Sequence, residues 1–181
     1  MCHKISPLPV KLAFFPYGNM RRGNAELATL REGGCAVINY NGKSTHTIDA
    51  KGRICLPAKF RKKIANEETR DLIVRYDFHG ECLYLFTEED SDAWIEELFA
   101  HRGGYDGLKN EDIRLMSMLR ERSEDVTLDS AGRINIPKEM LEGVGIDKEA
   151  LLIGNRGFIE IWDAKRREEA YKDVSMASFL H

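Results

Sequence analysis

Six cations crowd one short stretch of the chain. Lys51, Arg53, Lys59, Arg61, Lys62 and Lys63 stand between positions 51 and 63 with no acidic residue among them. Arginine offers a planar fork that grips a phosphate or a guanine edge, and lysine offers a point charge for a polyanionic backbone. The chemistry in reach is electrostatic recognition. The run begins inside Asp49-Ala50-Lys51-Gly52-Arg53, which returns as Asp129-Ser130-Ala131-Gly132-Arg133 at an offset of 80. An aspartate can accept from a backbone N–H two residues on and close an Asx turn. The glycine supplies the positive φ of the tight point. Asp49, Gly52, Asp129 and Gly132 therefore read as turn-shaping residues, and Arg53 and Arg133 as side chains that the turns present. An Asp–Arg pair that merely buckles a hairpin would use the same residues.

The elements that must position these turns repeat as well. Thr47–Pro57 matches Thr127–Pro137 with Thr, Asp, Gly, Arg, Ile and Pro identical. A proline suited to a first helical turn opens a short helix in each copy, Pro57–Asn66 and Pro137–Glu142. Two apolar runs follow as strands, Leu72–Val74 and Cys82–Phe86 in copy one, Leu151–Ile153 and Phe158–Trp162 in copy two. Turn residues 76–80 and 154–157 separate them. Thr87 is placed to cap a helix over Glu88–Ala100, with Asp90 completing a capping box and Trp94, Ile95 and Leu98 as its apolar stripe. Asp163 caps a helix over Ala164–Lys172. Asn110–Arg122 forms a helix between the copies, whose Ile113, Leu115, Met116, Met118 and Leu119 read as core packing. Units of this size bury too little surface to stand alone, so the two are expected to pack together as a pseudo-dimer.

The copies differ in charge. Residues 51–63 have their counterpart in 131–143, where Arg133 and Lys138 face Glu139 and Glu142, and Leu141 takes the place of Arg61. Copy one therefore reads as the face for nucleic acid. The whole chain of 181 residues has a net charge of −3, which taken as an average argues against a polyanion binder. The average conceals the distribution: residues 41–66 hold seven basic residues against one acidic, and residues 67–125 hold seven against seventeen.

Other classes are disfavoured. No uncharged apolar run approaches the length of a membrane span, and the run Leu12–Phe15, cut by Pro16, is too short for a secretory signal. Cys2, Cys35, Cys55 and Cys82 lie far apart, without the pairing of a disulfide framework or zinc ribbon, which suits a reducing cytoplasm. His79 and Cys82 have no second pair to complete a metal tetrahedron and read as a strand end. No cofactor is expected.

The doubled Asp-x-x-x-Arg turn, the run His46–Arg53 followed by Leu56-Pro57-Ala58-Lys59-Phe60-Arg61, and the later Leu151–Gly154 and Phe158–Trp162 resemble the MraZ family of transcriptional regulators. The resemblance covers residues 41 to about 172. It implies an α+β fold, two tandem AbrB-like swapped-hairpin repeats forming a pseudo-dimeric β-barrel with peripheral helices. The first repeat would span 43–90 and face DNA. A helical linker over 91–122, a second repeat over 123–166 and a tail over 167–181 would follow. It further implies a cytoplasmic, nucleoid-associated regulator that binds double-stranded DNA at repeated promoter boxes upstream of its own operon, in most bacteria the division and cell-wall cluster. Assembly is expected to be a homo-oligomeric ring, with no membrane and no small-molecule substrate as partner. Carried over by position, Arg53 and Arg133 are the motif arginines. Residues 1–40 exceed the family pattern and read either as a flexible arm or as the product of a misassigned start, with Met20 a later one.

Two other readings compete. A pair of aspartates, one per repeat, could form a catalytic dyad, but cations around Asp49 oppose the shared proton such a dyad needs, and no nucleophile or phosphate-loop motif is present. A ring-forming scaffold could instead bring the basic face of one subunit to the acidic 67–125 segment of the next.

Overall fold

The computed structural model describes residues 37–64 and 70–177, in which the two copies fold as matching series of elements. The first is β1 (Lys43–Thr47), β2 (Arg53–Cys55), α1 (Ala58–Ile64), β3 (Asp71–Tyr76), β4 (Leu83–Thr87) and α2 (Glu88–Ala100). Helix α3 (Asn110–Glu121) connects it to β5 (Ser123–Thr127), β6 (Arg133–Asn135), α4 (Lys138–Gly143), β7 (Glu149–Gly154), β8 (Ile159–Trp162) and α5 (Ala164–Ala170). The expected helix over 57–66 is helical from Ala58 to Ile64, and its last two residues lie outside the described ones.

Strands pair across the copies. β1 runs antiparallel to β7, from Lys43 opposite Ile153 to Thr47 opposite Glu149. Reciprocally, β5 runs antiparallel to β3, from Asp71 opposite Thr127 to Arg75 opposite Ser123. With the β3–β4, β4–β8 and β7–β8 pairs, this gives a six-stranded antiparallel sheet ordered β1-β7-β8-β4-β3-β5. β2 and β6 form a separate two-stranded ribbon, Ile54 opposite Ile134, and Ile54 also makes an isolated antiparallel bridge to Ile48. The fold is α+β with an antiparallel sheet, and this pairing does not close into the expected barrel. β1 and β5 remain the edges of the sheet because the three-residue strands β2 and β6 face one another, and β2 meets the β1 side only at the single Ile48–Ile54 bridge.

Period-two alternation sorts the sheet into two faces. Leu72, Val74, Leu83, Leu85, Ile159 and Ile161 bury one face against the ribbon and against Phe60, Ile64, Met140 and Leu141 of α1 and α4. The intervening Tyr84 and Phe86 join Phe158 and Trp94 in an aromatic cluster under α2. Arg75 points the same way, 1% exposed, its guanidinium over the Phe86 and Trp94 rings and its Nη2 donating to Ser91 Oγ at 2.9 Å.

Three local expectations meet a different outcome. Thr87 Oγ1 caps α2 by accepting from Asp90 N–H at 3.2 Å, but the Asp90 carboxylate accepts from Ile38 N–H at 3.3 Å and does not reach back to complete the box. Tyr40 is buried against Phe60, and Tyr40 N–H donates to the Asn155 carbonyl, so the folded body already includes Ile38–Tyr40. The α3 stripe is not core. Ile113 and Met118 are 41% and 54% exposed, while Leu115, Met116 and Leu119 are half-buried. Among the described residues no layer lies across from this stripe, which leaves it open.

Candidate nucleic-acid interface

Each Asp turn is built by the same hydrogen bonds. Asp49 Oδ1 accepts from the N–H groups of Lys51 at 2.9 Å and Arg53 at 3.1 Å, and Gly52 N–H closes onto the Asp49 carbonyl at 2.9 Å. Asp129 Oδ1 accepts from Ala131 at 2.9 Å and Arg133 at 2.8 Å, and Gly132 N–H donates to the Asp129 carbonyl at 2.9 Å. Gly52 and Gly132 sit at φ of +76° and +77°, the left-handed region where a side chain is strained. The turn chemistry anticipated from the sequence is thus present in both copies.

The motif arginines bend back onto their own turns. Arg53 Nε donates to Asp49 Oδ2 at 2.8 Å and its Nη2 lies 2.7 Å from the same oxygen. Arg133 Nε donates to Asp129 Oδ2 at 2.9 Å. The Arg53 side chain, followed by its backbone N–H, holds the Asp49 carboxyl down at about 2. At Asp129 the shift is also downward, led by the Arg133 backbone N–H. The carboxylates consequently stay ionised and fix the guanidinium planes, which remain half-exposed at the surface. Neither aspartate is shaped to share a proton.

The cationic run does not gather on one turn. Lys51 is exposed at the first turn, and Arg53 stands at its base. Lys59 lies over the Phe60 ring at 4.9 Å, with its ammonium beside Gly42. Together with burial, it holds the His46 imidazole below its ordinary value, burial being the larger cause. Lys63 donates to the Asn39 carbonyl and lies over the Tyr40 ring, while Lys62 is exposed. Arg61 crosses to the other repeat and covers Gly132: a Cβ there would fall 2.6 Å from Arg61 Nη1 and 2.8 Å from its Nε.

The reciprocal position is apolar. Leu141 of α4 stands over Gly52, 3.9 Å from where a Cβ would be. Beside it, an open groove of about 380 Å³ is lined by Asp49, Lys51, Gly52, Lys138, Leu141 and Glu142. Lys138 and Glu142 pair at 3.2 Å across one turn of α4. The offset of 80 already equates Arg61 with Leu141. It does not reveal that each residue serves the opposite turn, because that follows from ribbon pairing between repeats. No cluster of three or more potential metal ligands occurs among the described residues. No helix among them is long and apolar enough to cross a membrane.

Comparison with known proteins agrees with the repeated architecture. The sequence model of the MraZ protein family matches residues 40–100 and 118–181. A protein of Bacteroides fragilis named Transcriptional regulator MraZ is 33% identical over 137 residues, covering 76% of this chain and 85% of its own. Proteins of the same name from Pseudomonas putida and Chlorobaculum parvum are each 30% identical, over 138 and 140 residues, covering 76% and 74% of this chain and 86% and 85% of theirs. With both repeats matched and both Asp turns built alike, the chain belongs to the MraZ protein family.

Proposed function

We propose that the chain is a sequence-specific DNA-binding transcriptional regulator that recognises repeated boxes upstream of its own division and cell-wall operon. The observation that carries this reading is the pair of Asp turns at either side of the β2–β6 ribbon, each holding an arginine plane at the surface on an ionised aspartate. Such preorganised forks suit a base edge or a phosphate. The relatives named as transcriptional regulators support the same reading. Arg53 and Arg133 are the principal contacts, with Lys51, Lys59, Arg61, Lys62 and Lys63 around them. No chemistry of bond-making is assigned.

The exchanged strand pairing supports tandem swapped-hairpin repeats of the AbrB-like kind, with proposed limits of 43–90 and 123–166, the helical linker over 91–122 and the tail over 167–181. The working form is a homo-oligomeric ring in the cytoplasm, associated with the nucleoid. Several copies of one patch then bind adjacent boxes, and linking the events multiplies affinity.

Mobility shift with the chain's own upstream DNA against a scrambled duplex tests the proposal. Binding should prefer the native sequence, weaken severely in Arg53→Ala without loss of folding, and fall with salt by about 0.9 in log–log slope per phosphate neutralised. A flat salt dependence would refute it. Equal affinity for both duplexes would favour a non-specific binder or a ring-forming scaffold, for which the open α3 stripe supplies an apolar surface.

A further inference from the structure

Arg61 leaves its own repeat to lie on the turn of the other. It starts in α1, reaches over the second turn and lies against Gly132, which is buried, whereas its counterpart Gly52 is only half-covered. Among the described residues Arg61 has no carboxylate partner, and its Nε is shielded from solvent without a hydrogen-bond acceptor. Every other arginine within the two turns is neutralised: Arg53 by Asp49 and Arg133 by Asp129. A half-buried guanidinium with an orphaned donor is costly unless an acceptor arrives. The Asp129 carboxylate beside it is already taken up by Arg133 and the turn N–H groups, so the Arg61 charge stays uncompensated and the acceptor that fits is an anion rather than a neutral group.

We propose that Arg61 and the Asp129–Arg133 turn form one composite notch, contributed by both repeats, that takes a backbone phosphate of double-stranded DNA. The inference rests on the DNA-binding reading and sharpens it. Gly132 is required because any side chain would occupy the place of the Arg61 guanidinium. The first turn cannot form the same notch, since Leu141 stands where Arg61 would be. The two turns are therefore unequal. The second holds the DNA backbone through a cation lent by the first repeat, and the first offers Lys51 and Arg53 beside an open groove. Phosphate contacts set register and carry no sequence information of their own.

Salt titrations of full-length Arg61→Gln, Arg61→Lys and the unaltered chain test this, using the native upstream duplex and a scrambled duplex, with melting temperatures measured alongside. Arg61→Gln should lower the log–log salt slope by about 0.9 and weaken binding to both duplexes by the same factor. Arg61→Lys keeps the charge and should keep the slope. An unchanged slope in Arg61→Gln overturns the notch, as does a change in preference between the duplexes, which would make Arg61 a base reader. Equal losses of melting temperature and binding in both variants, at constant slope, assign Arg61 to packing and also overturn it. If Arg61→Gln does not fold, a lowered slope in Arg61→Lys overturns the claim that charge is what matters. Failure of the unaltered chain to bind either duplex refutes the DNA-binding reading itself and is distinct from all of these.

Discussion

Asp49 binds Arg53 twice over: Oδ2 takes the guanidinium at 2.7–2.8 Å, while Oδ1 accepts the Arg53 N–H at 3.1 Å. One carboxylate thus fixes both where the backbone turns and how the side chain leaves it. With its folded value held at about 2, below the ordinary 3.8, Asp49 contributes stability that is fully present above 3.8 and lost as the pH falls towards 2. Thermal melts of the unaltered chain and Asp49→Asn should differ by a constant amount near neutrality and converge in that acid window. Parallel curves down to pH 2 would show that the pair contributes nothing.

The two glycines should not be equally replaceable. Alanine at either pays about 1–2 kcal/mol for the left-handed backbone. At Gly52 the new Cβ also meets the Ile136 carbonyl at 2.9 Å, a fixed backbone atom, whereas at Gly132 it meets the movable Arg61 side chain. Gly52→Ala is therefore expected to lose more stability in urea unfolding than Gly132→Ala. The latter should instead lose DNA affinity, as Arg61 is pushed off the turn. The reverse order of stabilities would contradict the assigned contacts.

Arg75 is expected to be replaceable. It is 1% exposed, with one hydrogen bond to Ser91 and neither Nε nor Nη1 paired among the described residues, and burial pushes it down to about 10. A methionine would keep the contact with Phe86 and Trp94 without a buried charge. Replacing incompletely paired buried ions with apolar residues is often neutral or stabilising by about 1–4 kcal/mol. Arg75→Met should hold or raise the midpoint of denaturation, and a loss above about 2 kcal/mol would mean that the cation–aromatic contacts outweigh the desolvation.

Helix α3 gives a handle on assembly. Ile113 and Met118 are exposed in the single chain, so charges there should change monomer stability by no more than about 0.5 kcal/mol. In a ring that covers the stripe they would be severely disruptive. Ile113→Glu with Met118→Glu should lower the mass measured by light scattering to that of a smaller species, leaving the circular dichroism spectrum intact. An unchanged mass would remove α3 from the subunit contact.

Much of the local structure was legible. Thr87 and Asp163 cap helices where their positions suggested, and the Asp turns hold the bonds that Asp, Gly and Arg in that spacing demand. The apolar runs at 72–74 and 151–153 became β3 and β7, each three residues longer because ladder bonds extend past the apolar core. Partnership was not legible. Periodicity says that Leu72 and Val74 face inward but cannot say that β3 lies beside β5 of the other copy. The cations 51–63 are contiguous in sequence, yet Arg61 and Arg53 attend different turns because the ribbon carries each helix across the repeat boundary. For α3, the spacing revealed an apolar stripe but not whether the same chain would cover it.

The strand exchange also governs how the molecule comes into being. β1 emerges early in synthesis, but its partner β7 lies about a hundred residues further along, so the nascent first copy must wait with an unpaired edge. Contacts between such distant segments slow folding, and exposed edges invite wrong pairings in the interval. A chain released early, before residue 149, would lack what completes β1 and would be a substrate for proteolysis rather than a half-sized regulator. Conversely, the two halves made as separate polypeptides hold complementary edges, so mixing them should rebuild the fold by fragment complementation.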